Sequence, residues 1–70
     1  MQLVITGWKP GIKVISLLTL VRQHNHLGLK AGKEAVDGLL DGKEIVVECQ
    51  DEAQYLVVRQ EVERLGAVCR

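Results

Sequence analysis

The order of apolar and polar residues predicts an α+β domain of two layers: a three-stranded antiparallel sheet with strand one central and three helices on one face. Three observations carry this expectation. Residues 2–7 and 44–49 hold short apolar runs with the two-residue alternation of strands. Residues 12–24, 28–40 and 51–65 repeat their apolar side chains at helical spacing. The connections are short, so each reverses the chain, and strand one must run opposite to strands two and three. The whole chain, 1–70, is then one domain in the order strand, helix, helix, strand, helix, strand.

Gln2 to Gly7 (QLVITG) sets Leu3 and Ile5 on one face and Val4 on the other, a two-sided apolar content that suits the central place. Lys9-Pro10-Gly11 closes this strand. A helix follows over Ile12 to His24, Asn25 to Leu27 form a break, and a second helix runs from Gly28 to Leu40, ended by Asp41-Gly42. Glu44 to Cys49 (EIVVEC) turns Ile45, Val47 and Cys49 to one side. Asp51 to Leu65 is predicted as the third helix, with an Asp-x-x-Gln capping box, Asp51 and Glu52 at the positive end of the dipole, Arg64 near the negative end and Gly66 just beyond. Tyr55, Val58, Val62 and Leu65 form its buried stripe. Ala67 to Arg70 adds a last short strand. Cys49 and Cys69 then lie on flanking strands with strand one between them, too far apart for a disulfide.

Helix one carries more apolar surface than one sheet needs. At about 100° per residue, Val14, Leu17, Leu18 and Val21 fall within one arc. Ile15 lies outside it on the flank where Arg22 points, Leu18 borders the two, and Leu20 leans to the opposite flank, where a neighbouring helix can cover it. Ile15, Leu18 and Arg22, at i, i+3 and i+7, make a spare stripe that is apolar with a cationic end. Such a stripe is either covered by helix two or kept for a partner.

Formal net charge is zero, but the two halves differ: Met1 to Lys33 holds five Lys/Arg and no acid, while Glu34 to Arg70 holds nine acids against four bases. A surface built from the first half expects an acidic partner. No segment approaches the roughly 20 apolar residues of a membrane span, and the N-terminus lacks the charged region and cleavage site of a secretory signal. A soluble cytoplasmic protein is the expectation.

His24-Asn25-His26 offers two metal ligands with no carboxylate or Cys in the loop, short of a zinc site. The His-Asn-His letters alone do not make the dispersed metal unit of the nucleases that carry them. Gly28-x-x-x-Gly32 lacks the following Gly-Lys-Ser/Thr of a P-loop, and no strand precedes it. There is no nucleophile grouped with a base, no apolar carboxylate pair, and Trp8 beside Lys9-Pro10-Gly11 suits a rim or core position. The expectation is a non-catalytic chain with no metal and no cofactor.

The run Lys13-Val-Ile-Ser-Leu-Leu-Thr-Leu-Val-Arg22, followed by Leu27-Gly-Leu-Lys-x-x-Lys-x-x-Val36, resembles the C-terminal domain of the bacterial large-subunit ribosomal stalk protein, seven/twelve. That family has a hydrophobic helix ending in Val-Arg and then Gly-Leu-Gly-Leu-Lys-Glu-Ala-Lys. Asp51-Glu-Ala-x-x-Leu56 is similar to its Asp-Asp-Ala-Glu-x-Leu, and Glu63-Arg-Leu-Gly-Ala-Val68 to its Glu-Glu-Ala-Gly-Ala-x-Val. The similarity spans nearly all the chain, in register apart from a shorter connection near Asp41.

The resemblance implies a protein-interaction module whose first two helices dock onto an acidic helical surface of translational GTPases, elongation factors Tu and G among them. The family's contact positions fall on Ile15, Leu18, Arg22 and Lys33, with Lys30 and Gly28 in the signature. Gly28 would turn the backbone between the helices, and Gly32 would allow them to pack closely. The family's lysine opening the contact helix aligns with Val14, and Lys13 stands beside it. Gln23 to His26 replaces a Gly-Ala-Thr-Gly-like connection, and Gly32 stands where Ala is usual. The domain begins at Met1, so a stand-alone relative without the dimerisation segment and hinge is expected, monomeric or weakly self-associating.

Two other readings rank behind it. RNA-binding KH domains open with the same four elements and clamp phosphates with a Gly-x-x-Gly loop between the helices; here the spacing is one residue longer and Gly32 falls inside the helix pattern. The fold also resembles the protease adaptors that deliver substrates with destabilising N-termini, which need an acidic pocket that no residue before Glu34 supplies.

Overall fold

The computed structural model describes residues 1–70. Six elements follow in the expected order: β1 (Gln2–Trp8), α1 (Val14–Asn25), α2 (Leu29–Leu40), β2 (Ile45–Glu48), α3 (Glu52–Arg64) and β3 (Ala67–Cys69). The sheet order is β2-β1-β3 with both pairings antiparallel, which places β1 in the middle.

Alternation along the strands decides what the helices cover. Leu3, Ile5, Ile45, Val47, Cys49 and Ala67 are buried on the helix side, where Leu17, Val21, Val36, Leu39, Val58, Val62 and Leu65 meet them. On the opposite side Val4 pairs with Val46, and Val46 and Val68 stay exposed. Ile5 pairs with Cys69 but Gly7 with Val68, so β1 has one extra residue there, a bulge at Thr6. Beyond it Trp8 pairs with Ala67 at the rim of the sheet and remains 43% exposed.

The connection from β1 to α1 is sewn to the turn between α3 and β3. Lys9 N–H donates to Gly66 O and Lys13 N–H to Leu65 O, each at 2.8 Å. These ties keep Ile12 and Lys13 out of the helix, so α1 begins at Val14, two residues later than its apolar pattern predicts. Gly66 has φ +101°, and a Cβ there would lie 2.9 Å from Ile12 Cα, so both the turn and the suture require glycine.

Asp51 caps α3, its Oδ1 accepting from Gln54 N–H at 2.8 Å. The reciprocal arm of the expected capping box differs by one position: Gln54 Oε1 accepts from Gln50 N–H at 2.6 Å, not from Asp51. Both cysteines are free, with β1 between their strands. No helix is long and apolar enough to cross a membrane.

Candidate protein-interaction surface

α1 and α2 pack against each other through a glycine. Gly32 is buried inside α2, and a Cβ built on it would overlap Arg22 Cγ and sit 3.1 Å from Leu18 Cδ1. The missing side chain is the space in which the Arg22 stem and Leu18 rest, which is the close helix packing expected of Gly32. The stripe of α1 therefore divides. Leu18 and the stem of Arg22 help to roof the α1–α2 seam, while Ile15, a turn earlier, is 74% exposed.

The joint between the helices is built differently from the expectation placed on Gly28. His26 takes the left-handed conformation, φ 53° and ψ 42°, and its N–H donates to Arg22 O. Leu27 N–H donates to the same carbonyl at 3.0 Å. Gly28 has φ −72° and ψ 173°, extended backbone open to any residue, and no atom stands within 4 Å of where its Cβ would be. It serves as the N-cap of α2, with its carbonyl accepting from Gly32 N–H at 2.9 Å. A histidine makes the turn because the fourth position after Arg22 closes α1 on the Arg22 carbonyl, and the sequence has no glycine there.

Lys13 is exposed at the N-cap of α1, and Lys30 and Lys33 are exposed in the first turns of α2. The cations do not form one flat face. At about 100° per residue Lys33 stands a quarter-turn from Gly32, on the flank of the seam, whereas Lys30 points roughly 160° away from it. Leu29, 60% exposed beside Lys30, adds apolar surface that the helical pattern conceals. Its angular position is close to that of buried Val36, but it belongs to the first turn of α2, where the sequence period alone does not reveal the end of cover.

Charge pairing differs between the two halves of the molecule: the second half pairs three of its four bases, Lys43 excepted. The ion pairs are Arg59–Glu63, Arg64–Glu61 and Arg70–Glu44, all within residues 44–70. None of Lys9, Lys13, Arg22, Lys30 or Lys33 has a carboxylate within 4.0 Å. Arg22 Nε is buried without a hydrogen-bond partner. The opposite pole lies at the end of α2, where Glu34, Asp37 and Asp41 line an open cleft with Lys43.

No group of three or more His, Cys, Asp or Glu side chains converges as metal ligands would. His24 is half-buried in the last turn of α1 and faces the cleft beside β2 that also includes Gln50 and Gln54. Burial pushes the thiols of Cys49 and Cys69 above the ordinary cysteine range, with Glu63 adding to the rise at Cys69. Gly32, the second glycine of the RNA-binding reading, is a helix residue turned to α1 and not part of a loop. Leu20 is half-buried along an open groove between α1 and α3 with Val57, Val58 and Leu65.

No protein-family model matches this chain, and neither a curated protein nor a solved structure matches it. The likeness to the ribosomal stalk domain thus rests on the quoted residues.

Proposed function

We propose that the exposed part of α1 and the start of α2 form a docking surface for an acidic protein partner, of the kind the stalk resemblance names: a translational GTPase. One observation carries this reading. The five cations of residues 1–33 are all without carboxylate partners, and three of them, Lys13, Arg22 and Lys33, flank or adjoin the stripe that ends in exposed Ile15. A small apolar centre with unneutralised cations around it favours a fast, weak, electrostatically steered encounter.

Ile15 is the anchor, because burying it against a partner removes most of a large aliphatic side chain from water, worth about 1.5–3 kcal/mol. Lys13 and Lys33 steer, and Arg22 supplies a guanidinium whose stem is already held by the seam. Amide chemical-shift mapping during titration with an elongation factor tests the surface. Shifts at Ile15, Arg22 and Lys33 are expected; shifts confined to α3, or none, overturn it. Lys33→Glu should weaken association on the order of threefold to tenfold, more at low salt, whereas Arg64→Glu on α3 should leave it unchanged. Arg22→Glu is the less informative variant because it also disturbs the packing over Gly32.

A further inference from the structure

β2 is an edge strand, yet part of its outer backbone is occupied. Its inner side continues the ladder to β1: Cys49 N–H donates to Met1 O at 2.8 Å and the Met1 amino group donates to Cys49 O at 3.1 Å. With Leu3 opposite Val47 and Ile5 opposite Ile45, alternate residues Ile45, Val47 and Cys49 turn their backbone groups to β1, and Val46 and Glu48 turn theirs outward. A side chain from the end of α1 meets them there. Asn25 Nδ2 donates to Val46 O at 2.8 Å, and Asn25 Oδ1 accepts from Glu48 N–H at 3.0 Å. One primary amide supplies both the donor and the acceptor that an added strand would bring, on two separate atoms of one planar group.

The strand it covers could otherwise pair with itself. Glu44, Val46 and Glu48 share one face, and a two-fold axis at Val46 would set Val46 against Val46 of a second copy with the outward N–H and C=O groups matched. Val46 is 41% exposed and stands beside Val4, so two copies would bring two such Val4–Val46 pairs together across a continuous six-stranded sheet. Opposing this, the same axis brings Glu44 beside Glu48 of the other copy, twice, a repulsion that the Arg70–Glu44 ion pair offsets only in part. We infer that Asn25 is an edge guard, closing β2 against the β2 of a second copy of this chain, with Glu44 and Glu48 as an electrostatic second barrier.

Sedimentation and hydrogen exchange on Asn25→Ala test this. The wild-type chain should run at its 7.8 kDa mass at every concentration, with the Glu48 amide protected. In dilute Asn25→Ala that amide should lose at least roughly tenfold of its protection, and rising concentration should double the mass, sooner when Glu48→Gln is added. Val46→Pro in the same background should restore the monomer, because the Val46 N–H faces outward and the ladder to β1 does not use it. If Asn25→Ala fails to fold, Asn25→Ser, whose side chain is too short to bridge the Val46 carbonyl and the Glu48 N–H, is read for the same outcomes. The inference is overturned by a variant that stays monomeric with its Glu48 amide open, by a Glu48 amide still protected in the monomer, or by a dimer that survives Val46→Pro. A wild-type dimer abolished by Val46→Pro overturns it as well.

Discussion

α2 and α3 differ by one residue in length and cover the same face of the sheet, but their charges run in opposite directions. α3 follows the helix dipole: Asp51 caps it, Glu52 sits in the first turn and Arg64 in the last. Its cations are also paired within the helix, Arg64 with Glu61 at 2.7 Å and Arg59 with Glu63 at 3.5 Å. α2 has no acid in its first turn and no base in its last; Lys30 and Lys33 stand near its positive end, and Asp37 and Asp41 near its negative end. Each such charge costs an exposed helix about 0.3–1 kcal/mol. α3 is therefore arranged for its own stability, and α2 holds its charges at the expense of some. Local choices that oppose the fold mark the places where function is to be sought.

The largest expected effect comes from what lets α2 tolerate this, its seam with α1. Gly32→Leu should destabilise the domain by about 3 kcal/mol, because the new side chain has to displace the Arg22 stem and Leu18 from a space with no spare volume. For a chain of this size that is a fall in thermal midpoint of roughly 12–24 °C. Thermal unfolding followed by circular dichroism measures it. A loss of less than about 1 kcal/mol would mean that the seam is loose and that α1 and α2 do not present their side chains as one surface.

Much of this was legible beforehand, and the reasons differ by element. Alternation at Leu3/Ile5 and Ile45/Val47/Cys49 specified which strand faces pack, and Asp51 with Gln54 marked the start of α3, because those signals lie within a few residues of the structure they specify. His26 carried no such mark. Its left-handed turn is imposed by the need to close α1 on the Arg22 carbonyl, and the nearby Gly28 drew the expectation away from it. Asn25 falls in the predicted break, and its partners Val46 and Glu48 are 21 and 23 residues away, with no local pattern to connect them. The surface was partly legible: the angle count isolated Ile15, Leu18 and Arg22, but how α2 would divide them depended on Gly32 facing α1, a tertiary fact. Leu56 and Val57, exposed on α3, carry the same signal as Ile15, apolar residues off the stripe of Tyr55, Val58 and Val62, but no unpaired cation beside them made it stand out.

A smaller effect sharpens the contrast from the side of α3. Asp51→Ala removes the acceptor for Gln54 N–H and the negative charge at the dipole's positive end, and should cost about 1 kcal/mol by chemical denaturation. α2 offers no equivalent loss, because Gly28 caps it through extended backbone and no side-chain bond. If Asp51→Ala is neutral, the Gln54 bond to Gln50 N–H is sufficient to hold the first turn, and α3 is less dependent on its cap than its charge order implies.

The smallest expected change has the opposite sign and decides what the reversed charges of α2 are for. Lys30→Glu puts an acid at the second helical position of α2, where the unsatisfied N–H groups and the dipole favour it, and removes a cation from the same place. Lys30 makes no ion pair that would be lost. The variant should therefore gain about 0.5–1 kcal/mol in denaturant unfolding. If Lys30 belongs to the docking surface, the same variant should bind an elongation factor more weakly, with a shallower dependence on salt. A more stable chain that binds less well would show a charge retained against the interest of the helix. A gain in stability with binding unchanged would remove Lys30 from the surface, leaving Ile15, Arg22 and Lys33 on the flank nearer the seam, and would fit its direction roughly 160° from Gly32.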